Sequence, residues 1–237
     1  MNIDFLVKTL IKAFQAIPIT LLITAVALLI GLIFGGLLTW IKIKRFPVLY
    51  QLAQLYTTII RATPMVLIIL IFYSILPSMA NAVLNQQLHW KIKIFDINPI
   101  FYAFLIFGLI ATANLSEVFR SALTTVDEGQ GEAAQMAGLS TWQSYKRIII
   151  PQALVAAIPN VGNLTLNIMK GTSLAFLMTV SEVTAVAKIQ ASYTYDYTEA
   201  YLDIFLVYFI LGAILQFIFK LMIKHFSKSQ SAKQVAA

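Results

Sequence analysis

The chain has 237 residues, 59% of them hydrophobic and only 11% charged, with no cysteine and a formal net charge of +7. With a mean hydropathy of +0.82, that profile excludes an ordinary soluble domain and a disordered chain. The lack of cysteine excludes disulfides, thiolate metal sites and cysteine nucleophiles, and the basic residues flank apolar stretches, which points to a membrane and not to nucleic acid.

In chain order, residues 1–15 place Phe5, Leu6, Leu10 and Phe14 around Lys8 and Lys12, the spacing of an amphipathic helix on a membrane surface. A first span is predicted over 17–41, retained and not cleaved as a signal peptide. Lys42, Lys44 and Arg45 follow it, so this end is expected inside and the N-terminus outside. Residues 46–58 return to the membrane. The second span covers 64–79, with Pro64 in its first turn. The polar stretch 81–98 is expected outside. The third span covers 99–115, and 116–147 is a cytoplasmic loop. The fourth span, 152–169, is polar on one side: Asn160, Asn163, Asn167 and Lys170 recur at helical spacing. Lipid would not tolerate that face, so it is expected to point into the bundle. Pro159 and Gly162 are places where this helix could bend or open. The short apolar piece to residue 187 reads as a broken continuation. The last span covers 202–219, and 227–237 is expected to be a disordered cytoplasmic tail. The outcome is an all-α polytopic membrane protein of about five spans, N-terminus outside and C-terminus inside, at roughly 20 residues per span. Its parts are an amphipathic segment 1–15, a membrane domain 16–226 and the tail.

The catalytic inventory is empty. No H-E-x-x-H pattern, nucleophile elbow or phosphate loop is present, so no catalytic or metal residue is assigned, and any ATP-driven work would have to come from a partner. His89 reads as an exposed loop residue and His225 as a headgroup-level one. Polar groups within spans are the better candidates. For the asparagines, helix–helix hydrogen bonding at about 0.6 kcal/mol each stands beside lining of a pathway. Glu117 and Arg120 read as a structural pair three residues apart. Lys170 is either a snorkelling lysine or a solute contact. With Thr172, Ser173 and Glu182 it sits at a broken segment, where a zwitterionic solute would find a cation and an acid.

The centre of the chain is the polar island 127–151. Glu132 to Ala137 favours helix, Gly138 can end it with positive φ, and Ser140 can cap a second helix. Composition alone allows a plain structured loop. The order Glu132-Ala133-Ala134, Gly138, Ile148, Ile150-Pro151 resembles the cytoplasmic loop of permease subunits in ABC importers, with Ile150 where leucine is usual. The resemblance extends to Arg61-Ala62-Thr63-Pro64, Glu117-Val118-Phe119-Arg120, Lys170-Gly171-Thr172-Ser173-Leu174 and Val180-Ser181-Glu182-Val183, as in permeases for polar amino acids. Gly171 stands where that family often has aspartate, which weakens the case for a strictly cationic solute. Pro151-Gln152-Ala153-Leu154-Val155 and Ser173-Leu174-Ala175-Phe176 look most like the cystine type. The resemblance implies a multi-pass cell-membrane permease subunit with no cofactor of its own. Glu132, Ala133, Ala134, Gly138, Ile148 and Pro151 would dock on an ATPase subunit carrying ATP and Mg. Asn160, Asn163, Asn167, Lys170, Thr172, Ser173 and Glu182 would line the path. A second permease, identical or related, and an extracytoplasmic solute-binding protein would complete the assembly. L-cystine leads as solute, with arginine- or glutamine-type amino acids as the alternative. An ion-coupled secondary transporter and a non-transporting membrane scaffold are the readings from other classes.

Overall fold

The computed structural model describes residues 2–235, with side chains through 226. Ten α-helices follow one another: α1 Ile3–Gln15, α2 Ile17–Lys44, α3 Pro47–Ala62, α4 Met65–Asn81, α5 Pro99–Thr124, α6 Glu128–Met136, α7 Thr141–Ser144, α8 Ile150–Gly171, α9 Val183–Thr194 and α10 Tyr197–Val235. Short π-helical segments cover Ala82–Gln87 and Tyr145–Ile149, and 3-10 helices cover Ile94–Asp96 and Thr172–Met178. No strand occurs among the described residues. Among the described residues, five helical stretches are long and apolar enough to cross a membrane: Ile3–Lys44, Met65–Gln87, Pro99–Thr124, Thr141–Met178 and Tyr197–Phe226.

The α2–α5 pair is the closest packing in the bundle, and small residues make it possible. Ala27, Gly31, Gly35 and Thr39 recur every fourth position and are all buried, a stripe that lets two backbones approach. A Cβ added at Gly31 would lie 2.8 Å from the Ala111 Cβ, and one at Gly35 3.0 Å from the Leu115 Cβ. The Thr39 hydroxyl donates across the seam to the Ser116 carbonyl at 2.9 Å. Around the pair lies a core of Ile69, Ile106, Phe107, Ile168 and Met178.

Several expectations change here. Helix α5 runs on to Thr124, so residues 116–124 are helix and not loop. The charge at Glu117, where hydropathy ends the span, is met by other helices. Helix α1 presents Phe5, Thr9 and Ala13 to protein, not only to a membrane surface: it packs on α9 and α10, and the Asn2 backbone N–H donates to Glu199 at 2.8 Å. Helix α8 passes through Pro159 and Gly162 without interruption. Helix α10 continues to Val235, where a disordered tail is expected from Ser227; residues 236–237 lie outside the described residues.

Candidate functional site

The segment 127–151 folds as its caps dictate. The Asp127 carboxylate accepts from Gly129 N–H at 2.7 Å and starts α6. Gly138 closes it at φ 83°. Gly138 N–H donates to Gln135 O at 2.9 Å and Leu139 N–H to Ala134 O at 3.0 Å, the pair of bonds that ends a helix through a left-handed residue. Ser140 and Gln143 then form a reciprocal capping box for α7. From α7 the chain passes through the π-segment Tyr145–Ile149 straight into α8, so Thr141–Met178 is one helical run. Pro151 lies in the first turn of α8. Ala134 is turned inward, Ile148 is half-buried, and Glu132, Ala133, Gly138 and Pro151 face out. Beyond those positions, two large side chains are exposed: Met136, 91% exposed, and Trp142, 58% exposed with its ring edge-on to Trp40. The signal for both was an apolar residue on each side of a glycine turn in a polar island. Beneath the segment lies a cavity of about 460 Å³, lined by Arg120, Asp127, Glu128 and Glu132 among others.

Helix α8 carries Asn160, Asn163, Asn167 and Lys170 on a single open face. They do not point into the chain's own bundle, as lipid avoidance led us to expect. Ala153, Ala157, Gly162, Thr165 and Ile168 take the buried side instead, because a Cβ at Gly162 would sit 2.8 Å from the Phe219 ring and only a glycine admits α10 there. Beside the end of this stripe, α3 and α4 are separated at Thr63-Pro64, both with extended ψ. The uncapped start of α4 abuts the end of α8, with the Met65 sulfur 2.6 Å from where a Gly171 Cβ would be. Sequence reading took Pro64 as a helix start but not as a break set beside α8.

The other expected path residues fall elsewhere. Ser173 is half-buried in the 3-10 helix. Thr172 is fully buried, its hydroxyl donating to Met169 O at 2.6 Å and lying 3.3 Å from the Tyr208 hydroxyl. Glu182 is fully buried and caps α9. Its carboxylate accepts from Thr184 N–H at 2.8 Å, Ala185 N–H at 2.9 Å and the Tyr208 hydroxyl at 2.8 Å. Burial pushes the Glu182 carboxyl up to about 7, against the pull of these hydrogen bonds. Glu182 is therefore no partner for Lys170, because its oxygens are committed to a helix end.

At the loop end of the bundle, Glu117 gathers cations from three helices. Lys42 Nζ donates to Glu117 Oε1 at 2.6 Å and to the Thr57 hydroxyl at 2.9 Å. Arg120 Nε donates to Glu117 Oε2 at 2.8 Å, and Arg61 stands 3.9 Å away. The Lys42 side chain is only 1% exposed; from the sequence it served, with Lys44 and Arg45, only to mark the inside end of the first span.

Comparison with known proteins gives these findings. Residues 27–231 match the family described as binding-protein-dependent transport system inner membrane component. The chain is 36% identical over 169 residues to the L-cystine transport system permease protein TcyL of Bacillus subtilis, covering 71% of this chain and 67% of that one. It is 34% identical over 196 residues to the nopaline transport system permease protein NocM of Agrobacterium fabrum, covering 82% and 79%. Among solved structures, an amino acid ABC transporter with histidines superposes with a TM-score of 0.80 at 25% identity, over 95% of this chain and 100% of that one.

Proposed function

We propose L-cystine as the solute carried by this chain, which belongs to the binding-protein-dependent transport system inner membrane component family and is the permease subunit of an amino-acid ABC importer. It is a multi-pass protein of the cell membrane and a transport component, not an enzyme; in this family the ATPase is a separate subunit. The ion-coupled carrier and the scaffold give way to that membership. The observation that carries the cystine reading is the 36% identity to the L-cystine permease. A nopaline permease at 34% identity means that likeness alone does not single out cystine, and arginine- and glutamine-type amino acids stay the alternative.

The working assembly we propose pairs this permease with a second one, the same or related. The open α8 stripe supports this, since three asparagines and a lysine facing lipid would be costly. Amide groups and Lys170 suit a zwitterion: the lysine and the uncapped start of α4 attract a carboxylate, and the asparagines accept from an ammonium. A solute-binding protein delivers the amino acid. ATP and Mg sit on ATPase subunits that grip Glu132 to Pro151 and favour one of two arrangements of the pathway.

The test is uptake of labelled L-cystine into cells carrying this subunit with its neighbouring transport components, with and without ATP depletion and with unlabelled competitors. ATP-dependent uptake blocked best by cystine supports the reading. Stronger block by arginine or glutamine discards cystine and keeps the machine. Gly138→Val, which strains a backbone at φ 83°, is expected to uncouple ATP hydrolysis from uptake while leaving insertion intact. Normal transport in that variant would remove the docking role.

A further inference from the structure

Among the apolar cavities outside the proposed path, one has a basic mouth. It lies between α2, α5 and α8, measures about 310 Å³, and is walled by apolar side chains including Leu32, Trp40, Phe119 and Leu154, with Gly36 on the α2 side. Gly31 and Gly35 have a packing reason, since a Cβ at either would press on α5. Gly36 has none: a Cβ there meets nothing within 4 Å. Its missing side chain is what leaves the hollow open.

The surroundings say what could fill it. Leu32 and Leu154 are exposed at its rim, in a chain whose flanks face a bilayer. Above it, at the basic end of α2, the Trp40 ring meets the Trp142 ring edge-on at 6.3 Å, and Lys44 Nζ lies 5.1 Å from the Trp40 centroid. Tryptophan and lysine at a helix end mark the headgroup layer. With Trp40 and Lys44 at headgroup level, the hollow would lie in the hydrocarbon just under a basic mouth. Water is a poor occupant of an apolar hollow, and a lysine at the mouth favours a negative headgroup.

We infer that this cavity is a phospholipid site, with one acyl chain between α2, α5 and α8 and an anionic headgroup at Lys44. The chain would lie against Tyr145, the first residue of the π-segment that joins α7 to α8. A bound lipid would therefore bear on the segment that the ATPase is proposed to move. The inference rests on membership of the importer family but not on which amino acid is carried.

The experiment uses the complete transporter, permease and ATPase together, in nanodiscs of phosphatidylglycerol and phosphatidylethanolamine, released into a native mass spectrometer. The wild-type complex should keep a phospholipid on each permease, with phosphatidylglycerol preferred. Gly36→Leu, whose Cβ would meet nothing within 4 Å and whose branches would enter the hollow, should lose it at unchanged thermal stability. Leu154→Trp, filling from α8, should lose it too. Lys44→Gln should keep a lipid but lose the headgroup preference. Equal lipid retention in wild type, Gly36→Leu and Leu154→Trp overturns the site. So does a Gly36→Cys chain that crosslinks to a second permease, since the hollow would then be a subunit seam. Amino-acid uptake by the same variants reconstituted in sealed vesicles separates this failure from failure of the transport reading.

Discussion

Glu117, near the loop end of the bundle, and Glu182, at the opposite end, are both carboxylates withdrawn from water, yet the protein satisfies them by different means. Glu117 receives cations: buried Lys42 and Arg120 directly, with Arg61 close by. Glu182 receives only neutral donors, two backbone N–H groups at the start of α9 and the Tyr208 hydroxyl. The first arrangement ties α2, α3 and α5 through full charges and survives only while each charge has its partner. The second holds the 3-10 helix, α9 and α10 together through dipoles, and it can exist with the proton on or off.

The hardest way to break this contrast is Glu117→Gln. It strands Lys42, 1% exposed at its side chain, and is expected to cost ~3–5 kcal/mol, read as a large fall in the unfolding temperature of the purified protein. Replacing both members, Lys42→Met with Glu117→Leu, should recover most of that loss; no recovery would mean that geometry, not the stranded charge, is at fault. Next comes Glu182→Ala, which removes a helix cap and leaves the Tyr208 hydroxyl only its 3.3 Å contact with Thr172, for about 2 kcal/mol. Tyr208→Phe should cost about 1 kcal/mol. The pH profile sharpens the comparison further. Burial lifts the Glu182 carboxyl from 4.5 to about 7, so between those values the unfolded chain has lost its proton and the folded chain keeps it. Stability should therefore fall as pH rises through that window. Glu182→Gln should show a flatter profile there in melts across pH; an unchanged slope would assign the effect to another group. The smallest effect is expected from Arg61→Gln. Its side chain is half-exposed and 3.9 Å from Glu117, which sets its contribution below ~1 kcal/mol.

Hydropathy made the five crossing stretches legible, and cap chemistry made the turn at Gly138 legible, because both are local properties. What escaped depends on neighbours remote in sequence. A lysine after an apolar run marks a basic, cytoplasmic end, and only the crossing of α3 and α5 over α2 buries Lys42 beside Thr57 and Glu117. The same crossing lets α5 continue past the charge that hydropathy takes as its end. Periodicity placed the three asparagines and Lys170 on one face of α8 but could not say which way that face turns. Gly35 and Gly36 are adjacent and look alike in sequence; one meets α5 and the other opens a hollow.

The unbroken run from Thr141 to Met178 has a mechanical consequence. With no flexible joint between α7 and α8, torque applied at Trp142 reaches Lys170 as rotation of a single shaft. The wide turn at Tyr145–Ile149 then acts as an angular offset. One residue more or less there would swing the asparagine face by about 100° relative to the driven end. If the ATPase drives this segment as proposed, the π-segment would fix the phase of the stroke, and its length would matter as much as any side chain it carries.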